Sequence, residues 1–180
     1  PPPRLPTTAP PLAPHLHSAA YRTAAIGKWH LAATEKFHPL NRGFHEFFGF
    51  LHEGRYFEPA IGKGNTTWLR RKNLPDGAMG RWTSPDGRLI ESDHLKSDEP
   101  EYNKDTPMMR GDQAIEEPRN LTDAFTHEAM DFFDRTKEKP FFLYLSFNAV
   151  HSPVVASPAW LEKFKHLDKR EQAYAALISE

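Results

Sequence analysis

At 180 residues, with 23 Lys and Arg against 24 Asp and Glu, the chain has the size of one domain and a formal net charge of -1. That balance, with a pI near 6.9, gives no electrostatic case for nucleic acid or an acidic membrane surface. No apolar run approaches the ~18 residues of a spanning helix, no basic-then-apolar leader opens the chain, and the absence of cysteine removes disulfides, thiolate ligands and a cysteine nucleophile while leaving the compartment open.

Seven prolines within residues 1–18 predict an extended arm. Inside it Leu12, Leu16 and Ala19 would form one face of a short helix, with Pro10, Pro11 and Pro14 in or before its first turn. Residues 21–26 read as a short strand ended by Gly27. The segment 37–51 places Phe37, Phe44, Phe47, Phe48, Phe50 and Leu51 among glycines, and is expected to be irregular and packed on the core. Residues 52–119 are rich in Gly, Pro, Asp and Asn, with short strand-like pieces at 67–70 and 88–90; such a stretch is a loop-rich insertion, functional or disordered.

The last third is regular. Asn120 is a candidate N-cap, and Leu121, Phe125, Ala129, Phe132 and Phe133 follow at helical spacing until Glu138-Lys139-Pro140 stops the helix. Residues 141–147 form a continuous apolar run, the pattern of a parallel strand buried on both faces. Ser157-Pro158 opens another helix as N-cap and N1, with Leu161 and Phe164 inward. The chain begins at Pro1 and ends in a helical pattern without a stop signal, so a piece of a longer protein is expected.

Strand, helix, strand, helix predicts an α/β fold, a mostly parallel sheet flanked by helices. Ligands of such sheets gather beyond the carboxyl ends of the strands. Two segments meet that condition: Gly27-Lys28-Trp29-His30 and Asn148-Ala149-Val150-His151-Ser152-Pro153. In extended backbone Lys28 and His30 project to one face while Trp29 points to the other, holding the chain against the core. The pair reads either as solvated or as a cation and an imidazole facing one ligand. His151 reads either as a loop histidine bonded to backbone or as a catalytic acid or anion contact. His15, His17, His127 and His166 are expected in solvent, and His38, His45, His52 and His94 in loops without ligand-like spacing.

The segment Ala20-Tyr21-Arg22-Thr23-Ala24-Ala25-Ile26-Gly27-Lys28-Trp29-His30-Leu31 closely resembles the second signature of the sulfatase family, Gly-Tyr-x-Thr-x-x-x-Gly-Lys-Trp-His-Leu-Gly. Phe37 to Gly49, Leu121 to Thr126, Lys139 to Leu145 and Asn148 to Pro153 resemble further family blocks in the same order. Ala20 and Ala32 stand where the family has glycine, His45 where it usually has Asp, and Val150 where proline often precedes the histidine. Of these, Ala32 is the expected point of strain. The family's Cys-x-Pro-Ser-Arg motif has no counterpart, nor does a serine version, and its four metal-holding Asp and Asn residues are likewise missing.

The resemblance implies a partial alkaline phosphatase-like sandwich and a sulfuric ester hydrolase. By motif match Lys28 would contact sulfate and the nucleophile. His30 would hydrogen-bond the formylglycine hydroxyl, and His151 would contact sulfate and the leaving oxygen. It further implies that this chain holds no metal, while calcium (or magnesium) and a formylglycine modification belong to the full-length protein. The partner would be a sulfated small molecule or glycan, with no nucleic acid and no membrane segment, and the location periplasmic or secreted. Trp68, Trp82 and the Arg and Lys of 52–119 suit stacking on sugars and binding of anions. A phosphonate or phosphate monoester hydrolase of the same superfamily, and a non-catalytic remnant that binds sulfated ligands, are the competing readings. Asn65-Thr66-Thr67 and Asn120-Leu121-Thr122 are N-glycosylation triplets, and neither is expected to carry a glycan.

Overall fold

A computed structural model describes residues 11–31, 35–51, 107–151, 154 and 156–180, and the backbone of 81–83 and 89–91. The chain divides into two compact units: residues 1–53, 105–117 and 123–147, and residues 54–104, 118–122 and 148–180. The expected strand at 67–70, Ala32, the triplet at Asn65, the side chains of Trp68 and Trp82, and His52 and His94 lie outside the described residues.

The first unit is built on strand β1 (Arg22–Lys28), whose residues Thr23 to Gly27 are all buried. It is two residues longer than the expected 21–26 at its carboxyl end, because the strand passes through Gly27. On one side β1 pairs in parallel with β2 (Glu46–Phe50), and on the other with β7 (Phe141–Ser146). A hairpin of β5 (Met108–Arg110) and β6 (Gln113–Ile115) adds antiparallel strands beyond β2, giving the order β6-β5-β2-β1-β7. The three parallel strands therefore end at one edge of the sheet, with Lys28 beside Phe50 and Gly27 beside Ser146. The sheet is mixed, mostly parallel at its centre.

β2 replaces the irregular segment expected from the aromatic run. Its Phe47 to Phe50 are buried, and Gly49, which argued against a strand, is a packing requirement: a Cβ there would stand 1.9 Å from the carbonyl oxygen of Gly27. The β5–β6 hairpin turns through Gly111-Asp112, with Gly111 at φ +62, as two-residue hairpins require.

Helix α2 (Leu121–Thr136) follows its expected limits, and Asn120 accepts the backbone N–H of Thr122 at 2.8 Å as its cap. Leu121, Phe125, Ala129 and Phe132 are buried, whereas Phe133 is exposed on the helix flank. Phe125 meets Phe48 and Phe50 of β2 with ring centres 6.1 and 6.4 Å apart. Burying each such ring contributes about 2–3 kcal/mol. Asn120 itself is buried, only 6% exposed.

Two further expectations are corrected. β7 is parallel, but among the described residues it is the edge strand and not doubly buried: Phe141, Tyr144, Leu145 and Phe147 are each at least 36% exposed, and β1 is the one described neighbour of the strand. In helix α1 (Leu12–Ser18) the buried residue is Ala13, while Leu12 is exposed. The helix ends with Tyr21 N–H donating to Leu16 O at 3.0 Å and Ala20 N–H to His17 O at 2.9 Å. That paired closure puts the following residue in the left-handed region, and Ala20 sits there at φ +64. A glycine-to-alanine strain is thus observed at Ala20, while Ala32 lies outside the described residues.

The second unit holds a hairpin, β3 (Arg81–Thr83) with β4 (Leu89–Glu91), and helices α3 (Pro158–Lys163) and α4 (Lys169–Ser179). Ala156, Ala176 and Leu177 form its core with Trp160, Leu161 and Phe164 packed against them. Ser157 and Pro158 open α3 as expected, without a side-chain cap bond. Asp168 caps α4 by accepting from Arg170 and Glu171 N–H at 2.9 and 3.1 Å.

Candidate active site

The carboxyl end of β1 concentrates the chemistry-bearing residues of the first unit. Gly27 lets the strand press against β7, since a Cβ would stand 1.9 Å from the Ser146 carbonyl oxygen. Lys28 follows as the last residue of the strand, in register with Phe50 and partly buried. Trp29 then extends the ladder by one bond, its N–H donating to Phe50 O at 3.0 Å. Its indole N–H donates to Phe37 O at 2.8 Å, and its ring meets Phe44 and Tyr144 edge-on at 5.7 and 6.3 Å. His30 is exposed and has φ +55.

The inward Trp29 between Lys28 and His30 matches the expected alternation. The expected extended path through His30 does not hold: the strand stops at Lys28 and the chain turns into the left-handed region. A cation and an imidazole are still brought to one strand end. His151 is also exposed, five residues after Ser146 in sequence, and belongs to the second unit.

The remaining histidines sort by burial. His15, His17, His127 and His166 are exposed, as expected. His38 is buried against Phe47, its Nδ1 accepting from Leu40 N–H at 3.3 Å. Burial pushes its pKa down, against the opposing pull of Asp112. His45 Nδ1 accepts the backbone N–H of Thr23 at 3.1 Å and lies 2.8 Å from the Thr23 hydroxyl. Burial, then His17 and Arg22, lower its pKa, against Glu46. A neutral His45 thus takes the acceptor place that an Asp would fill. No spacing rule marks this pair; the contact is made across 22 residues by β1–β2 pairing.

Another part of the first unit carries a chain of alternating charge. Arg22 bonds Glu46 at 2.9 Å, Glu46 bonds Arg135 at 2.9 Å, and Glu128 accepts from Arg135 at 3.3 Å and Arg110 at 2.7 Å. Burial opposes the Glu128 carboxylate, but hydrogen bonds and charge from Arg110 and Arg135 outweigh it and hold its pKa below the usual range. The network borders a cleft of about 340 Å³ lined by Ala24, His45, Glu46, Arg110, Glu128 and Arg135 among others. With its guanidinium groups bridged by carboxylates, it ties α2 to the sheet.

Among the described residues no group of three or more His, Cys, Asp or Glu could hold a metal ion. Calcium therefore finds no donor set among them, and with no cysteine in the chain a formylglycine cannot arise from a cysteine of these residues. No helix among the described residues is long and apolar enough to cross a membrane.

A family model described as Sulfatase matches residues 1–179. The chain is 34% identical over 152 residues to N-acetylgalactosamine-6-sulfatase of Sus scrofa, covering 81% of this chain and 23% of that protein. It is 28% identical over 166 residues to an arylsulfatase of Klebsiella aerogenes, covering 91% of this chain and 28% of the relative. Among solved structures it is similar to Ps i-CgsB, with TM-score 0.70 and 27% identity over 98% of this chain and 34% of the other. The same protein in complex with k-i-k-neocarrahexaose gives TM-score 0.70 and 29% identity, over 97% and 34% of the two chains. The chain thus spans about a quarter of the length of these curated relatives.

Proposed function

Since the chain belongs to the sulfatase family, we propose that the whole protein is a sulfuric ester hydrolase in which Lys28, His30 and His151 form one wall of the active site. The observation that carries this reading is the placement of Lys28 and His30 at the carboxyl end of the central parallel strand, where open α/β sheets bind ligands. His151 follows β7, the strand that pairs with β1, by five residues in sequence.

In this reading the Lys28 ammonium offsets negative charge on the sulfuryl oxygens as the ester bond breaks. His30 contributes a second donor on the same side, and His151 gives a proton to the leaving oxygen. A fixed cation aimed at developing charge is commonly worth ~3 kcal/mol or more. The nucleophile and a calcium ion, which the family resemblance implies, would be supplied from outside these 180 residues. A sulfated sugar is the favoured substrate, in keeping with the named activity of N-acetylgalactosamine-6-sulfatase and the oligosaccharide bound by Ps i-CgsB.

The test compares 4-nitrophenyl sulfate and 4-nitrophenyl phosphate with the purified whole protein. Sulfate turnover that falls roughly a hundredfold in Lys28→Ala is expected. Preference for the phosphate ester would replace this reading with the phosphomonoesterase one, and sulfate-ester binding without turnover would leave a binding protein.

A further inference from the structure

Trp29 sits between Lys28 and His30 and fills space in the core with Ala25 and Phe47. Packing alone does not account for its contacts. Its backbone N–H closes one more rung on β2, and its indole N–H is donated to Phe37 O, at the end of a short 3-10 turn (Glu35–Phe37). The residue directly after it, His30, takes a left-handed conformation, which is unfavourable for a residue with a Cβ. Something must hold that turn. Burial of an indole that is 6% exposed and its hydrogen bond to Phe37 O both stabilise the turn against that strain.

We propose that Trp29 is a positioning residue for the reaction: the indole N–H bond to the Phe37 carbonyl fixes the turn that presents Lys28 and His30. The proposal rests on those two residues acting on the sulfate ester. Trp29 itself touches no reacting atom. Its donor sets where the cation and imidazole stand, and displacement of about 1 Å at a catalytic group is enough to cost up to a hundredfold in rate. The packing partners Phe44 and Tyr144 hold the ring edge-on, so a substitute of similar shape keeps the core filled while losing the bond.

The experiment replaces Trp29 with 3-benzothienylalanine, which keeps the bicyclic shape and lacks the N–H, and separately makes Trp29→Phe. Phe132→Leu, a fully buried change in α2, is the control for general destabilisation. In the whole protein, well below every melting temperature, kcat for a sulfate ester should fall tenfold or more in both Trp29 variants. KM should stay within twofold, and Phe132→Leu should keep wild-type kcat. A kcat within twofold of wild type in the benzothienyl variant, with only the melting temperature lowered, overturns the proposal. Should the wild type turn over no sulfate ester, the sulfatase reading fails by itself. Trp29 is then judged on the His30 Cε1–H resonance, which should move in the benzothienyl variant and whose constancy would refute the positioning role.

Discussion

Replacing Gly27 by alanine tests the packing that brings β1 against β7 and so builds the site edge. The new Cβ would stand 1.9 Å from Ser146 O and 2.6 Å from its carbonyl carbon, where ordinary contact begins at 3.4 Å. One strand must withdraw by roughly 1.5 Å, which removes the ladder bonds at that end, since they weaken steeply beyond their normal length. Losing two such bonds costs about 2 kcal/mol net. The positive φ of +111 adds about 1–2 kcal/mol for a residue with a Cβ, for a total of ~3–4 kcal/mol. Gly111→Ala is the matched control: its φ is +62 but the nearest atom to a new Cβ is Leu40 Cδ1 at 3.9 Å, so the backbone cost of about 1–2 kcal/mol stands alone. At about 2–4 °C per kcal/mol for a chain of this size, Gly27→Ala should melt ~6–16 °C lower and Gly111→Ala only a few degrees lower. Urea unfolding of both variants reads the difference directly. Losses within ~0.5 kcal/mol of each other would refute the close-approach account.

Ala20→Gly should stabilise the protein by about 0.5–1 kcal/mol in urea unfolding, because Ala20 occupies the left-handed position that closes α1; an unchanged midpoint would contradict that. His45 has a folded pKa below its ordinary 6.5, so the folded state binds its proton less readily than the unfolded state. Its contribution is therefore complete above about pH 6.5 and is lost as pH falls through 6.5 toward the lowered value. His45→Asp, which keeps an acceptor for Thr23 N–H, should flatten the fall in urea midpoint between pH 7.5 and 5. It should do so incompletely, because His38 shifts in the same direction; an unaltered slope would exclude His45. Glu128→Gln should cost about 1–2 kcal/mol, less than a fully buried pair because Arg110 and Arg135 are half exposed, and raising the salt concentration should leave most of that loss in place.

Much of this architecture was legible where local pattern and tertiary environment agree. The α2 limits, the Asn120 cap, the Ser157-Pro158 start and the β1 strand all follow from periodicity and end signals. β2 was missed because Gly49 and a run of aromatics without β-branched neighbours look irregular, and only the Gly27 carbonyl explains the glycine. The Gly111-Asp112 turn was readable as a hairpin, yet three-residue strands give too short an alternation to stand out. For β7 the apolar run marked a parallel strand. Its exposed edge depends on which strands stand beside it, and that is not written in its own six residues. At the site, the pairing of Lys28 with His30 came from spacing and signature. The left-handed turn at His30 and the Trp29–Phe37 bond did not, since both depend on a 3-10 turn with no periodic mark.

The central claim, that this chain supplies a cationic and acidic wall for cleavage of a sulfate ester, is tested most directly by leaving-group dependence. kcat/KM is measured for the whole protein, Lys28→Ala and His151→Ala across aryl sulfates of graded leaving-group pKa. Lys28→Ala should lose roughly a hundredfold throughout the series, because the charge it offsets develops on the sulfuryl oxygens whatever group departs. His151→Ala should lose little with good leaving groups and progressively more with poor ones, which need the proton. A His151→Ala loss equal along the series would remove the acid role, and a Lys28→Ala enzyme as active as wild type would contradict the account of the wall itself.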